Sequence, residues 1–228
     1  PTTWTSTETG KSGAFTLNTG SYTSVYTPQT AGNYTVTATI IKQAWDGTAW
    51  NNAGTSDSKT LNITALPEFA GGAGTVGDPY LISTADQLNN VRNHLDKYFL
   101  QTADLDLSGY STGEGWVPIG DNDNPFAGTY DGNEFSINNL YVERNEYCSG
   151  LFGYIGGTGK VTDLELKSVN VIGNSYYVGG LAGTNEGLIS NCSVAGTVSI
   201  NGWYYPVGGL VGENQGTITH CSFHLPDS

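Results

Sequence analysis

The segment Gly179-Gly-Leu-Ala-Gly-Thr-Asn-Glu-Gly-Leu-Ile-Ser-Asn-Cys-Ser returns almost unchanged as Gly208-Gly-Leu-Val-Gly-Glu-Asn-Gln-Gly-Thr-Ile-Thr-His-Cys-Ser. An earlier copy opens with Ser149-Gly-Leu-Phe-Gly and lacks the Asn-x-Gly step of the other two. The paired glycines recur after 30 and then 29 residues, at Gly150, Gly180 and Gly209. A repeat of this length, with short β segments, glycine corners and no helix, predicts the coils of a β-solenoid.

The register of the repeats predicts which residues lie above one another. A single coil cannot bury its apolar residues, so they must stack on those of the next coil. Stacked strands lie about 4.8 Å apart, so each apolar position should form a continuous buried column. The two expected columns are Leu151, Leu181 and Leu210, and Val161, Ile189 and Ile218.

Three cysteines fall within these repeats. Cys192 and Cys221 align with Leu164, whereas Cys148 aligns with Val178 and Val207. Because those positions otherwise hold Leu or Val, we expect all three thiols to act as small buried hydrophobic groups. Cys192 and Cys221 should also lie on adjacent coils, within the Cα reach of a disulfide. Whether the two are bonded is left open by the sequence.

Upstream of the repeats, one segment has the pattern of a helix. Ser83 or Thr84 can cap it, and Leu88, Val91 and Leu95 fall on one face. This predicts a helix over 84–95 that covers the first coil, followed by a strand over 99–107.

The first 65 residues differ, with short segments rich in Thr, Val, Tyr and Ile between Gly, Asn and Pro turns. This pattern is typical of an antiparallel β-sandwich. Pro67 cannot donate to a strand ladder, so we place the boundary near residue 66. The predicted strands are Thr2 to Ser6, Ala14 to Leu17, Ser24 to Thr27, Asn33 to Ile41 and Lys59 to Thr64.

Two resemblances follow from these residues. The Gly179 and Gly208 segments resemble the GLUG repeat of bacterial and archaeal surface proteins. The resemblance to such proteins covers residues 69–223. Residues 24–38 resemble the late strands of bacterial immunoglobulin-like domains, with the first two strands missing. Together they imply an all-β chain: a partial immunoglobulin-like sandwich over 1–66 and a β-solenoid over 67–228. The solenoid would have an N-terminal cap over about 67–107, with one short α-helix, and GLUG-like repeats over about 149–223.

Composition excludes several classes of function. The 228 residues include 8 Lys and Arg against 21 Asp and Glu, a formal net charge of −13. Such an acidic chain is a poor partner for nucleic acid. No apolar run approaches the roughly 18 residues that span a membrane, so we expect no membrane insertion in this segment. Few lysines and many Thr, Ser, Asn, Gly and Tyr indicate an extracellular or cell-surface location. Lacking an initial Met, the chain is expected to be a piece of a longer protein.

Aromatic residues gather just before the glycine pair of each repeat, in loops expected along one edge of the solenoid. Rings with polar tips on a surface suit a glycan or a protein partner. They could equally pack over the coil edge or against a flanking domain. The candidate ligand-binding residues are Tyr147, Tyr176, Tyr177, Trp203, Tyr204 and Tyr205.

The segment Asp121-Asn-Asp-Asn-Pro is a candidate calcium loop, with Asp121 and Asp123 as ligands. The same residue types are also what an ordinary turn prefers, and no other cofactor is indicated. Four further carboxylates would contribute if the fold brings them close: Asp104, Asp106, Asp131 and Glu134. Three triplets would be N-glycosylation sites if the source glycosylates its surface proteins, at Asn33, Asn62 and Asn191.

These observations predict a non-enzymatic structural or adhesive module of a cell-surface or filament-forming protein. Its partner would be another cell-surface protein or a glycan, or a second copy bound head to tail. One alternative is a carbohydrate-binding module of a larger secreted enzyme. Another is a β-solenoid that cleaves polysaccharides, which would need paired carboxylates beside a basic group.

Overall fold

The computed structural model of this protein divides into two compact units, Pro1–Glu68 and Phe69–Ser228. It describes residues 2–6, 12–14, 16–18, 21–23, 32–40, 43–45, 48, 50–52, 57–65, 67–145, 147–173, 176–200 and 206–225.

The first unit is antiparallel. Its strands are β1 (Thr2–Ser6), β2 (Ser12–Ala14), β3 (Thr16–Asn18), β4 (Ser21–Thr23), β5 (Gly32–Ile40), β6 (Gln43–Trp45), β7 (Trp50–Asn52) and β8 (Asp57–Ala65). Four of them form a sheet in the order β2-β1-β5-β8, and β3–β4 and β6–β7 are separate two-stranded pairs. The predicted strand over 14–17 is divided into β2 and β3, and the one over 24–27 lies outside the described residues.

The second unit contains the remaining strands and the one α-helix among the described residues. The strands are β9 (Tyr80–Ile82), β10 (Tyr98–Gln101), β11 (Leu105–Asp106), β12 (Thr129–Asp131), β13 (Ser136–Asn138), β14 (Tyr141–Arg144), β15 (Phe152–Ile155), β16 (Lys160–Thr162), β17 (Glu165–Gly173), β18 (Val178–Gly179), β19 (Ala182–Asn185), β20 (Leu188–Ser190), β21 (Ser193–Ile200), β22 (Val207–Gly208), β23 (Val211–Asn214), β24 (Thr217–Thr219) and β25 (Ser222–His224). The helix α1 covers Ala85–Asn90, and 3₁₀ turns cover Val91–Asn93 and Ser108–Tyr110.

These strands build a β-solenoid of about four turns, as the repeats predict. One face is the parallel sheet β9-β10-β12-β16-β20-β24, and a second is β11-β13-β17-β21-β25 with β14 beside β17. The third face is β15-β19-β23, which isolated bridges from Ile119 and Phe126 to β15 extend by one coil. Parallel pairing throughout these three faces places equivalent residues of successive coils above one another.

Both predicted columns are confirmed. Val161 pairs with Ile189, which pairs with Ile218. The leucine column is buried at Leu151 and Leu181 and partly buried at Leu210. In the column of Val161, the exposed fraction is 0% at Val161 and Ile189 but 36% at Ile218. Ile218 belongs to the last described coil.

The coils begin before the sequence visibly repeats. The column of Val161 continues backward through Tyr130 to Phe99, both of which are buried. Similarly, Leu166 lies over Ile137, which lies over Leu105. Different apolar residues fill one position because burial selects for apolar surface and volume, not for a particular side chain.

The predicted helix is present but shorter than 84–95. Thr84 caps α1, with its side chain accepting from the Gln87 backbone N–H at 3.3 Å. Leu88 and Val91 join the solenoid core. The helix tightens into a 3₁₀ turn after Asn90, a frequent ending for short helices.

The prediction of one strand over 99–107 is wrong. The chain turns a corner between β10 and β11, so that the two strands belong to different faces. At this corner Gln101 Nε2 donates to the carbonyls of Ala103 and Ser136, and Asp104 accepts from the Ser136 backbone N–H. These side-chain hydrogen bonds replace the ladder, so a run of alternating residues bends.

The cysteine predictions divide. Cys192 is buried in the column that follows Leu164, and its backbone N–H approaches Cys221 Sγ at 3.4 Å. All three cysteines are free thiols. The prediction for Cys148 is wrong, because Ser149 rather than Cys148 pairs with Val178. This one-residue shift leaves Cys148 only partly buried, and Cys221 is partly buried as well, packed against the core.

Candidate functional site

One edge of the solenoid is occupied by the Asn-x-Gly step. Asn185 is fully buried, and its Nδ2 donates to Asn214 Oδ1 on the next coil at 2.7 Å. Its Oδ1 accepts from the Gly187 backbone N–H at 3.2 Å. A Cβ on Gly187 would lie 2.1 Å from the carbonyl oxygen of Gly159, so no side chain fits there. This edge, which we call the Asn–Gly corner, holds adjacent coils together.

Tyrosines line a different edge. The rings of Tyr147 and Tyr176 are stacked, with centroids 4.9 Å apart and planes inclined by 11°. This separation is close to the strand spacing of about 4.8 Å, so the two rings come from adjacent coils. Tyr177 packs beside Tyr176 at 6.0 Å. The aromatic loops expected along one edge lie together at the Tyr147–Tyr176 pair, whereas Trp203, Tyr204 and Tyr205 lie outside the described residues.

Tyr147 and Tyr177 line a depression that we call the tyrosine groove. Its first half has a volume of about 520 Å³ and lies between the Asp121–Asn124 turn and Tyr147. Its second half has a volume of about 460 Å³ and extends past Tyr177. The two halves share Asn122, Asp123, Tyr147 and Cys148. The structure thus brings the predicted calcium loop and the predicted aromatic loops together.

One column of the third face lines the second half. Tyr154 on β15 pairs with Thr184 on β19, which pairs with Glu213 on β23. Each of them follows the last glycine of the five-residue glycine segment, the one position there that changes from Tyr to Thr to Glu. Sequence reasoning missed these residues. Variation alone could not have found them, because the position before the last glycine also varies, from Phe152 to Ala182 to Val211, and packs in or against the core.

Carboxylates influence the phenols of this edge. The Tyr154 hydroxyl donates to Glu186 Oε1 at 2.6 Å, and this hydrogen bond raises the pKa of Tyr154 to about 12. The negative charge of Glu213 raises the pKa of Tyr177 above its ordinary value. Burial raises the pKa of the Cys148 thiol, whose sulfur lies 3.5 Å from Thr184 Oγ1. All three side chains are therefore neutral near pH 7.

The turn at the head of the groove is built by its own residues. Asp121 Oδ1 accepts from the backbone N–H groups of Asp123 at 2.9 Å and Asn124 at 2.7 Å. An Asp that bonds the backbone two and three residues on is a common way to fix a tight turn. The Asp121 carboxylate thus has a structural role, and Asn122 and Asp123 are presented to solvent.

Two arginines hold the segment that leads into this turn. Arg92 donates to the carbonyls of Val117 and Pro118, and its guanidinium lies 5.2 Å from the centre of the Trp116 ring. Arg144 donates to the carbonyl of Trp116 at 2.9 Å and forms an ion pair with Glu114. Burial lowers the pKa of Arg92. The turn is therefore anchored through its backbone, independently of any ligand.

Calcium at Asp121 and Asp123 stays a prediction. Among the residues that the structure describes, no group of three or more His, Cys, Asp or Glu side chains is placed to hold a metal. The other predicted carboxylates lie elsewhere. Asp104 and Asp106 accept hydrogen bonds at corners, which lower the pKa of both, and Asp131 accepts from the Asn133 backbone N–H.

The predicted glycosylation site at Asn191 lies on an exposed corner. Asn191 has a left-handed backbone, φ 52°, as do Asp163 below it and His220 above it. Its Nδ2 donates to Asp163 Oδ1 at 2.9 Å, so modification would have to break this bond. Asn33 and Asn62 lie in β5 and β8, and their side chains are outside the described residues.

Comparisons with known proteins agree with the solenoid repeats. Residues 174–199 match the GLUG motif family. The chain is 45% identical over 133 residues to a protein of Evansella cellulosilytica named as a Gly-rich membrane protein, covering 55% of this chain and 15% of that protein. It is 36% identical over 137 residues to halomucin of Haloquadratum walsbyi, covering 56% of this chain and 2% of halomucin. The chain therefore spans only a small part of these relatives.

A solved structure was also found, the crystal structure of a protein of Bacteroides ovatus named for immunoglobulin A1 protease activity. It is 21% identical, with a TM-score of 0.40 and 71% of each chain covered. This similarity is too low to support any conclusion. Within the part of the chain that the structure describes, no helix is long and apolar enough to cross a membrane.

Proposed function

We propose that this chain is a non-enzymatic, extracellular structural and adhesive module of a large cell-surface protein. The observation that carries the proposal is the in-register stack of about four coils. Such a stack presents equivalent side chains at regular intervals along an elongated surface. The names of the relatives, a Gly-rich membrane protein and halomucin, also favour a surface location.

Protease treatment of intact cells of the source organism tests the location. We expect peptides from residues 69–225 to be released before those of any cytosolic protein, as measured by mass spectrometry. Release of these peptides only after lysis would overturn the proposal.

The first unit is proposed to be a partial immunoglobulin-like sandwich. The antiparallel sheet β2-β1-β5-β8 supports this assignment, because such domains contain two antiparallel sheets packed together. An experimental structure of residues 1–68 alone would test it. A single sheet with no second layer would contradict the assignment.

Carbohydrate binding is the second candidate function. It is favoured by the tyrosine groove, where the rings of Tyr147, Tyr154 and Tyr177 and several polar side chains line one depression. Cleavage of polysaccharides is less well supported, because Asp104, Asp106 and Asp131 are engaged in corner hydrogen bonds. An assay for reducing ends released from polysaccharides would separate cleavage from binding.

Head-to-tail association of chains is a further proposal from the sequence. The parallel sheets support it, since each added coil continues their backbone hydrogen-bond ladders. Sedimentation and electron microscopy of the native protein provide the test. Filaments would support it, and monomers at all concentrations would contradict it.

A further inference from the structure

We infer that the first half of the tyrosine groove binds a sugar unit of an uncharged glycan, with the Tyr147 ring as its platform. This inference rests on the adhesive role proposed above and names the class of its ligand. It is carried by four features of this half: an open ring face, polar groups opposite it, the sign of the charge, and a backbone that is already fixed.

The ring of Tyr147 offers an apolar surface. Tyr176 covers only one face of that ring, and Tyr147 as a whole remains 63% exposed. Pro118 and Val117 line the same half, and Val117 is 48% exposed. An aromatic face beside aliphatic carbons suits the C–H face of a pyranose ring, which is the apolar side of an otherwise polar molecule.

Polar side chains complete the site. Asn122 and Asn145 line it together with Asp121 and Asp123. Amide groups both donate and accept hydrogen bonds, whereas carboxylates only accept, so this set matches a ring of hydroxyl groups that can do either. One apolar platform with a few convergent polar groups is the usual composition of a small-molecule site.

The charge of the groove selects against anionic sugars. Asp121, Asp123 and Glu213 line it, and no Lys or Arg does so among the described residues. The whole chain has a formal net charge of −13. Uronic acids and sulfated sugars would therefore be repelled, and they would find no described cation to pair with.

The geometry requires little reorganisation on binding. Asp121 fixes its own turn, Arg92 holds the carbonyls of Val117 and Pro118, and Tyr147 is stacked on Tyr176. Preformed sites lose less free energy to ordering when a ligand binds. A volume of about 520 Å³ is in the range of ordinary ligand sites.

Calorimetric titration of the whole chain with galactotriose, mannotriose, cellotriose, N-acetylated chitotriose and trigalacturonic acid tests the inference. At least one neutral trisaccharide should bind, and trigalacturonic acid, the anionic counterpart of galactotriose, should bind at least tenfold more weakly. Tyr147→Ala should weaken binding at least tenfold and Tyr147→Phe less than threefold, because the ring face and not the hydroxyl is the platform. Tyr98→Ala is the matched control, since Tyr98 is 38% exposed on a different face, and it should bind like the wild type.

A second variant keeps the inference testable if Tyr147→Ala fails to fold. Asp123→Lys places a cation at the groove and should improve the binding of trigalacturonic acid relative to galactotriose. The inference is overturned if no neutral trisaccharide binds, or if trigalacturonic acid binds as tightly as a neutral trisaccharide. It is also overturned if a folded Tyr147→Ala variant binds with the affinity of the wild type. None of these results bears on the surface location, which the protease experiment measures separately.

Discussion

The residues of the Asn–Gly corner and those of the tyrosine groove follow the same repeat, but their side chains make different contacts. At the corner, the Asn185 amide bonds Asn214 on the next coil and the Gly187 backbone. In the groove, Tyr147 stacks on its neighbour through one face and is otherwise exposed. A shared period therefore shows which residues lie above one another, but not which are available to a ligand.

The largest effect is expected when a charged side chain is placed in the interior of the solenoid. Leu181→Asp should lower the free energy of unfolding by several kcal/mol and unfold the solenoid, because it places an unpaired carboxylate in the fully buried leucine column. Circular dichroism and thermal denaturation measure the effect.

Leu188→Asp is the matched control for the same coil. Leu188 pairs with Lys160 and Thr217, both exposed, so its side chain is on the outer side of β20. We expect a much smaller loss of stability there. A folded Leu181→Asp variant with an unchanged melting temperature would disprove the stacking register.

The next largest effect is expected at the corner itself. Gly187→Ala should destabilise the solenoid by about 1–3 kcal/mol, because the added Cβ meets the Gly159 carbonyl and forces the coils apart. Gly157→Ala should be neutral, since a Cβ at Gly157 has no atom within 4 Å. Urea denaturation of the two variants gives the comparison, and equal stabilities would show that close coil approach does not require glycine.

The buried and half-buried thiols distinguish interior from groove chemically. Burial raises the pKa of Cys192 to about 12, so Cys192 should react with iodoacetamide more slowly than Cys148 at pH 8. Peptide mapping by mass spectrometry measures both rates, and unfolding in urea should make them equal. Equal rates in the native protein would contradict the assigned burial.

The same shift has a consequence for stability. An unfolded thiol has a pKa of about 8.5, so only the unfolded chain loses this proton as the pH rises from there toward about 12. The contribution of Cys192 to stability is therefore present below about pH 8.5 and is lost as the pH increases. The difference in unfolding free energy between the wild type and Cys192→Val should shrink over this interval, as measured by urea denaturation at several pH values.

The smallest effect on stability is expected in the groove. Tyr147→Ala should cost about 1 kcal/mol or less, because it removes one exposed stacking contact and no buried hydrogen bond. A thermal melt checks this value. A loss as large as that of Gly187→Ala would mean that the tyrosine contacts themselves stabilise the stacked coils.

Several features of the fold could be predicted because the repeats impose them. In-register stacking follows from the spacing of Gly150, Gly180 and Gly209, and the columns of Leu181 and Ile189 follow from that register. The position of Cys148 could not be predicted, because pairing slips by one residue where Ser149 meets Val178. The corner after Gln101 was hidden for a similar reason, since side-chain hydrogen bonds there replace an apparently continuous strand.

The candidate site shows the same division. Tyr147, Tyr177 and the Asp121–Asn124 turn could each be selected from residue type, but their meeting in one groove could not. They are separated along the chain, and only the winding of successive coils places them side by side.

By itself, the sequence determined the coil as the unit of this protein, because a period of 29 to 30 residues with fixed apolar positions is satisfied only by stacking. The tertiary structure alone decided which repeated polar and aromatic residues are engaged by neighbouring coils and which remain accessible. The physical reason is that periodicity fixes a residue's neighbours above and below, whereas exposure depends on what the rest of the coil places beside it. Asn185 is buried and Tyr147 exposed for this reason, although both belong to the repeated coils.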